Sequence, residues 1–145
     1  MISPFFSVEY DDSAISDRLK QLLKKTGNIA PALEEIGQYV KAITDTNFEN
    51  ETDPYGNPWP KNSPSVLAYK KSQGFIAKVL QQRGFLRNSI NYQVKGNTVL
   101  VGTNVAYAYE HQLGINQIQR QFLGVSEQDA EEIKSIIQEY LEAPE

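Results

Sequence analysis

The segment from Asn50 to Ser63, Asn-Glu-Thr-Asp-Pro-Tyr-Gly-Asn-Pro-Trp-Pro-Lys-Asn-Ser, carries three prolines and a glycine. Proline fixes φ and removes a backbone donor, so no helix or strand can run through this stretch. The chain must therefore fold as regular elements on either side of a long irregular loop. That loop also holds Tyr55 and Trp59, the only tryptophan. Disordered loops rarely carry such aromatics, so an ordered loop is expected, at least in an assembly. Two roles for Trp59 stay open: it pins the loop to its own core, or it reaches a neighbouring molecule.

Before the loop, Phe6, Val8 and Tyr10 alternate with polar residues, which predicts a short first strand. Asp11-Asp12-Ser13 offers an N-cap. Ile15, Leu19, Leu22 and Leu23 follow at helical spacing, with Lys24 and Lys25 late and Gly27 as a stop. Pro31 suits the first turn of a second helix, whose stripe is Leu33, Ile36, Val40 and Ile43 and whose end falls near Phe48. After the loop, Ser63-Pro64 opens a short helix to about Ser72. Alternation from Leu86 to Val94, a turn at Lys95-Gly96-Asn97 and a return over Thr98–Gly102 predict a hairpin. Ala106–Leu113 reads as a short helix stopped by Gly114, with Tyr107/His111 and Tyr109/Leu113 paired at i,i+4. Residues 115–121 read as a second irregular excursion. Ser126-Glu-Gln-Asp129 is a capping box for a last helix with Ile133, Ile136, Ile137, Tyr140 and Leu141 on its apolar side. The expected architecture is α+β: one domain over 1–145, with N-terminal helices and a C-terminal helix packed on a small antiparallel sheet, and irregular loops or arms near 50–63 and 115–121.

Composition fits that size. Apolar residues make up 40% and charged residues 22% of 145, as in a globular protein with one core. No run approaches the ~20 apolar residues of a membrane helix, so no membrane partner is expected. The N-terminus lacks a positive region and does not read as a signal peptide. Without cysteine there is no disulfide framework, and synthesis in a reducing cytoplasm is the expectation. The net charge of −4 is unevenly spread. Residues 1–59 hold ten acids and five bases, residues 60–125 one acid and eight bases, and residues 126–145 seven acids and one base. A basic middle between acidic ends suits charge complementarity within the fold or between subunits better than nucleic acid, because the bases are scattered.

The side-chain inventory leaves little room for catalysis. His111 is the only histidine. Its neighbour Glu110 points about 100° away on a helix, so the two are not a preset acid–base pair. Packing against Tyr107 with one hydrogen bond is the expected role of His111. There is no cysteine nucleophile and no Gly-x-Ser-x-Gly elbow. Asp11-Asp12 and Glu131-Glu132 are adjacent pairs without calcium-loop spacing, and they sit where helix starts favour acids. No phosphate-loop motif occurs, and Gly102, Gly114 and Gly124 are better explained by turns and helix ends. Bases and aromatics do mix between Tyr69 and Tyr92, as in single-strand binders. Core aromatics with solvated bases between them give the same pattern. No catalytic, cofactor-binding or metal residue is assigned, and no cofactor is expected.

Three blocks in order carry a resemblance. The first is Phe48-x-x-Glu51-x-x-Pro54-x-Gly56-x-x-Trp59. The second is Val79-Leu80-x-x-x-Gly84-x-Leu86-x-x-Ser89-Ile90. The third is Val101-Gly-Thr-Asn104-x-x-Tyr107-Ala108-x-x-His111-Gln-x-Gly114, closed by Arg120-x-Phe122-Leu-Gly124-x-Ser126-x-x-Asp129. Together they resemble the phage virion morphogenesis family, the tail-completion proteins of Mu-like bacteriophages and prophages. The resemblance covers about two-thirds of the chain, from Phe48 onward. One departure is the short Ile-Asn-Gln-Ile-Gln between Gly114 and Arg120, where family members often carry a longer basic or proline-rich stretch.

The resemblance implies a non-enzymatic structural protein of the virion, made in the host bacterial cytoplasm. It would complete the head-proximal end of a tail or the neck in head–tail joining. The implied partners are further copies of itself in a ring, a hexamer, together with the tail tube or terminator and neck or connector proteins. DNA would pass through the ring without sequence-specific binding. Rings use heterologous interfaces, and aromatics and arginine dominate interface energies. Tyr55, Trp59, Arg120 and Phe122 are therefore the candidate subunit or tail contacts. The alternatives are a terminator or connector subunit of another type, or a phage-encoded nucleic-acid-binding protein.

Overall fold

The computed structural model describes residues 6–7, 12–76, 78–80, 84–105, 107–115 and 117–144. Helix α1 spans Ser13–Thr26. Asp12 caps it, its carboxylate accepting from the N–H groups of Ala14 and Ile15. Lys24 and Lys25 lie in the last turn, and Gly27 closes the helix in the left-handed region. Helix α2 spans Ala30–Asn50, with proline in its first turn as expected.

Among the described residues the sheet has three antiparallel strands in the order β1–β3–β2. Strand β1 is Phe6–Ser7, paired with Thr103 and Gly102. The rest of the expected first strand, Val8 and Tyr10, lies outside the described residues, as does Asp11. Strands β2, Asn91–Lys95, and β3, Thr98–Thr103, form the expected hairpin, with Lys95 opposite Thr98 across the Gly96-Asn97 turn. Gly102 lies in β3, as the expected return strand over Thr98–Gly102 has it, and not in a turn.

Helix α3 spans Pro64–Ser72, capped by the Ser63 hydroxyl. The main correction follows it. Residues 86–89 are not strand but the one-turn helix α4, Phe85–Ser89. Leu86 and Ile90 are two strand periods apart and also one helical turn apart, so their alternation fits both templates. Gly84, at φ 72°, turns the chain into the helical start. Both apolar residues are buried in this conformation. Helix α5 spans Ala108–Leu113 and ends at Gly114 in the left-handed region. Helix α6 spans Glu127–Glu142 and has the full capping box between Ser126 and Asp129. No helix among the described residues is long and apolar enough to cross a membrane.

Two buried clusters hold these elements. In the first, Leu22 of α1, Leu33, Ile36 and Val40 of α2, and Ile133, Ile136 and Ile137 of α6 pack together. Each such side chain contributes about 1.5–3 kcal/mol when fully buried. Helix α2 also lies on β2 and β3. Gly37 permits this close approach: a Cβ there would stand 2.7 Å from Cγ of Tyr92. The second cluster gathers Phe48, Trp59, Val79, Leu86, Ile90, Ala108, Phe122 and Leu123. Val101 of β3 touches both.

Candidate functional site

The loop after α2 is built by its polar residues. Glu51 leaves the helix in the left-handed region, at φ 55°. Its carboxylate accepts from the N–H of Val79, and its carbonyl accepts from the N–H of Trp59. Asp53 gathers the N–H groups of Tyr55 and Asn57 and the Asn57 side-chain amide. Burial alone would raise the pKa of Asp53, but these donors and the Gly56 N–H outweigh it and hold the carboxyl below its usual range. The loop is therefore ordered by its own hydrogen bonds.

Trp59 is 4% exposed. Its ring meets Phe48 edge-on at 5.4 Å, and Phe122 tilts against Phe48 at 5.5 Å. The indole N–H donates to the carbonyl of Gln121 at 2.8 Å. Phe122 is 0% exposed. Of the two readings of Trp59, the structure shows the pin to its own core, and Phe122 shares that core. Neither side chain reaches the surface of the single chain. Tyr55 does, at 55% exposure. Arg120 is partly exposed, and its guanidinium donates to the carbonyls of Pro60 and Lys61. The loops near 50–63 and 115–121 are thus one braced unit, brought together by Trp59 and Arg120. Gly124 lets them touch, since a Cβ there would stand 2.8 Å from Cγ of Pro54.

The residue that fixes this arrangement, Gln112, was not among the candidate contacts. Its side chain is buried in α5. Its Oε1 accepts from the N–H groups of Phe122 and Leu123, each at 3.0 Å, and its Nε2 donates to the Leu123 carbonyl at 2.7 Å. A backbone segment outside any sheet thereby finds its partners. One local signal pointed to it: Gln112 lies one helical turn from buried Ala108, on the inner face of α5.

Charge complementarity within the fold is present. Arg87 bridges Asp45 and Glu49 of α2 at 2.7 and 2.9 Å, and Lys78 pairs with Glu49 at 2.9 Å. The hydrogen bond from Arg87 holds Asp45 below its usual pKa, more than offsetting burial. Bases of the middle segment thus meet acids of the N-terminal one.

A cleft of about 470 Å³ opens beside the loops, lined by residues of α3, α4 and α5. Val66, Phe85 and Tyr107, all exposed, stand at its edge, and Lys70, His111 and Arg120 line it. Lys70 is only 4% exposed, and its ammonium donates to the Lys78 carbonyl. Burial lowers its pKa, the nearby Arg120 lowers it further, and Glu51 partly offsets both. His111 is lowered likewise, first by burial and then by Arg120, with Glu110 opposing. Its ring meets Tyr107 edge-on at 6.0 Å, as the helical spacing predicts, but among the described residues its buried Nδ1 has no hydrogen-bond partner. No three His, Asp or Glu residues come together to hold a metal among the described residues.

The arrangement is a braced surface with a cleft that has basic groups in its lining and an apolar rim. Comparison with known proteins fits it. The model of the phage virion morphogenesis family matches residues 10–142. The chain is 26% identical over 132 residues to the Mu-like prophage FluMu G protein 1 of Haemophilus influenzae, covering 89% of this chain and 90% of that protein. No solved structure matches it. The match runs from before α1 to the end of α6 and takes in both clusters and the braced loops, so the chain belongs to the phage virion morphogenesis family.

Proposed function

We propose that the chain is a non-enzymatic structural component of a phage virion that completes the head-proximal end of the tail, or the neck, as a ring of identical copies. The family and the prophage relative support a role in virion assembly. The observation that carries the finer reading is where the exposed large apolar side chains lie. Val66, Leu67 and Tyr69 on α3, Phe85 on α4, and Tyr107, Tyr109 and Leu113 on or beside α5 are all exposed. Three of them, Val66, Phe85 and Tyr107, line one cleft, and exposed apolar surface gathered in this way marks an interaction site. The cleft offers basic groups, with no acid among its described lining residues. Head–tail joining is tested on virions assembled without this chain. Negative-stain microscopy is expected to show finished heads and tails that stay apart. Joined, normal particles would overturn the reading.

A terminator or connector subunit of another type is the nearest second reading, and the same micrographs separate it. A missing terminator gives tails of irregular length, and a missing connector gives heads that fail to retain DNA.

A further inference from the structure

The cleft between α3, α4 and α5 has a one-sided charge lining. Three cationic or ionisable groups, Lys70, His111 and Arg120, line it, and no acid is among its described lining residues. A buried ammonium ordinarily has a carboxylate partner. The hydrogen bond that Lys70 makes here is to a backbone carbonyl, and the carboxylates that act on these groups, Glu51 on Lys70 and Glu110 on His111, do so from outside the lining. Around these groups stand the exposed apolar side chains of Val66, Phe85 and Tyr107, with Phe85 at 61% exposure. A cationic floor with an apolar rim suits an acidic protein surface, which supplies both carboxylates and apolar contact.

The same chain carries the complementary surface. Helix α6 and the residues around it hold seven acids and one base. Glu132 and Glu139 are exposed and lie seven residues apart, on one face of that helix. The one base of the segment, Lys134, pairs with Glu131. Among the described residues no base pairs with Glu132 or Glu139. Of the acids of α2, Asp45 and Glu49 compete poorly, because they are already held by Arg87 and Lys78. Helix α6 belongs to the first buried cluster, while the cleft borders the second. One copy presents both surfaces from different parts of its fold, which is the requirement for head-to-tail contact.

We propose that the α3–α4–α5 cleft is the seat for the acidic face of α6 from a second copy of this chain, with Glu132 and Glu139 set against Arg120 and Lys70. This rests on the reading that copies assemble into a ring. It goes further by naming the two faces that meet.

The absence of cysteine makes the test direct. Phe85→Cys and Glu139→Cys variants of the full chain are mixed and oxidised at low salt. Both positions are exposed, and circular dichroism checks that each variant folds. A Lys41→Cys variant, exposed on α2, serves as the control. The expected result is a disulfide dimer between the first two variants, several-fold more abundant than that between Phe85→Cys and Lys41→Cys. Its yield should fall as salt rises and should fall again when Arg120→Gln is added. Equal yields with the control would overturn the proposal, as would Phe85→Cys dimers alone, which mean a two-fold contact. Suppression of the cross-link by a short DNA duplex that binds the cleft would also overturn it, in favour of nucleic acid. Any of these with unjoined heads and tails in the virion experiment would remove the docking assignment and leave the joining role standing.

Discussion

The indole N–H of Trp59 donates to the backbone carbonyl of Gln121 at 2.8 Å, across 62 residues of sequence. This bond ties the proline-rich loop to the segment that precedes α6 and places the indole against Phe48. The loop is thus part of the core rather than an arm.

Trp59→Ala should therefore unfold or nearly unfold the isolated chain, because emptying such a site costs about 3–5 kcal/mol. Trp59→Phe keeps most of the apolar volume and should lose about 1–2 kcal/mol, the share of the missing hydrogen bond and unfilled space. Urea unfolding followed by circular dichroism reads both. A Trp59→Ala chain as stable as the parent would show that the indole is dispensable to the fold.

Gln112→Leu keeps roughly the shape of the side chain and removes its polar end. The N–H groups of Phe122 and Leu123 and the Leu123 carbonyl then lose their partner. Each buried unsatisfied group costs about 1–3 kcal/mol, less where water enters, so a total loss of about 3 kcal/mol is expected. Amide hydrogen exchange at Phe122 and Leu123 should quicken before that of α1. Unchanged exchange there would mean that the segment is held by other contacts.

Gly37→Ala forces a methyl group into the ring of Tyr92. Overpacking of this kind costs about 1–3 kcal/mol, against the small gain that alanine brings to a helix. The loss should shrink when Tyr92→Ala is made in the same chain. A double-mutant cycle with no coupling would place the cost elsewhere.

Tyr39 donates its hydroxyl to Asp129 at 3.0 Å, while the other carboxylate oxygen of Asp129 accepts from the N–H of Ser126. Burial, and then the bond to Asp129, push the Tyr39 pKa up to about 12. The folded state therefore holds this proton more tightly than the unfolded state, where tyrosine titrates near about 10. The stabilisation is complete below that lower value and is lost as pH rises through about 12. Tyr39→Phe should cost no more than about 1 kcal/mol at neutral pH, because the site is partly solvated. It should also flatten the alkaline limb of a thermal-melt series. An unchanged limb would assign the alkaline loss to other groups.

Much of the fold was legible because its signals are local. Asp12, Gly27, Ser63 and the Ser126–Asp129 box mark helix ends through bonds made within four residues. The 3.6-residue stripes on α1, α2 and α6 name their buried faces, and Gly96-Asn97 marks the hairpin turn. Leu86 and Ile90 were misread because a separation of four residues fits a strand and a helical turn alike.

The sequence by itself determined where most helices start and stop, that the Asn50–Ser63 loop could not be regular, and that the chain has one histidine and no cysteine. Only the tertiary structure decided that Trp59 and Phe122 face inward while Tyr55 faces out, that Gln112 anchors the segment before α6, and that Lys70, His111 and Arg120 share one cleft. Caps and periodicity act over a few residues, and the chain states them directly. The direction a tryptophan faces depends on which distant segments pack beside it, and here those segments are joined through contacts between residues about sixty positions apart.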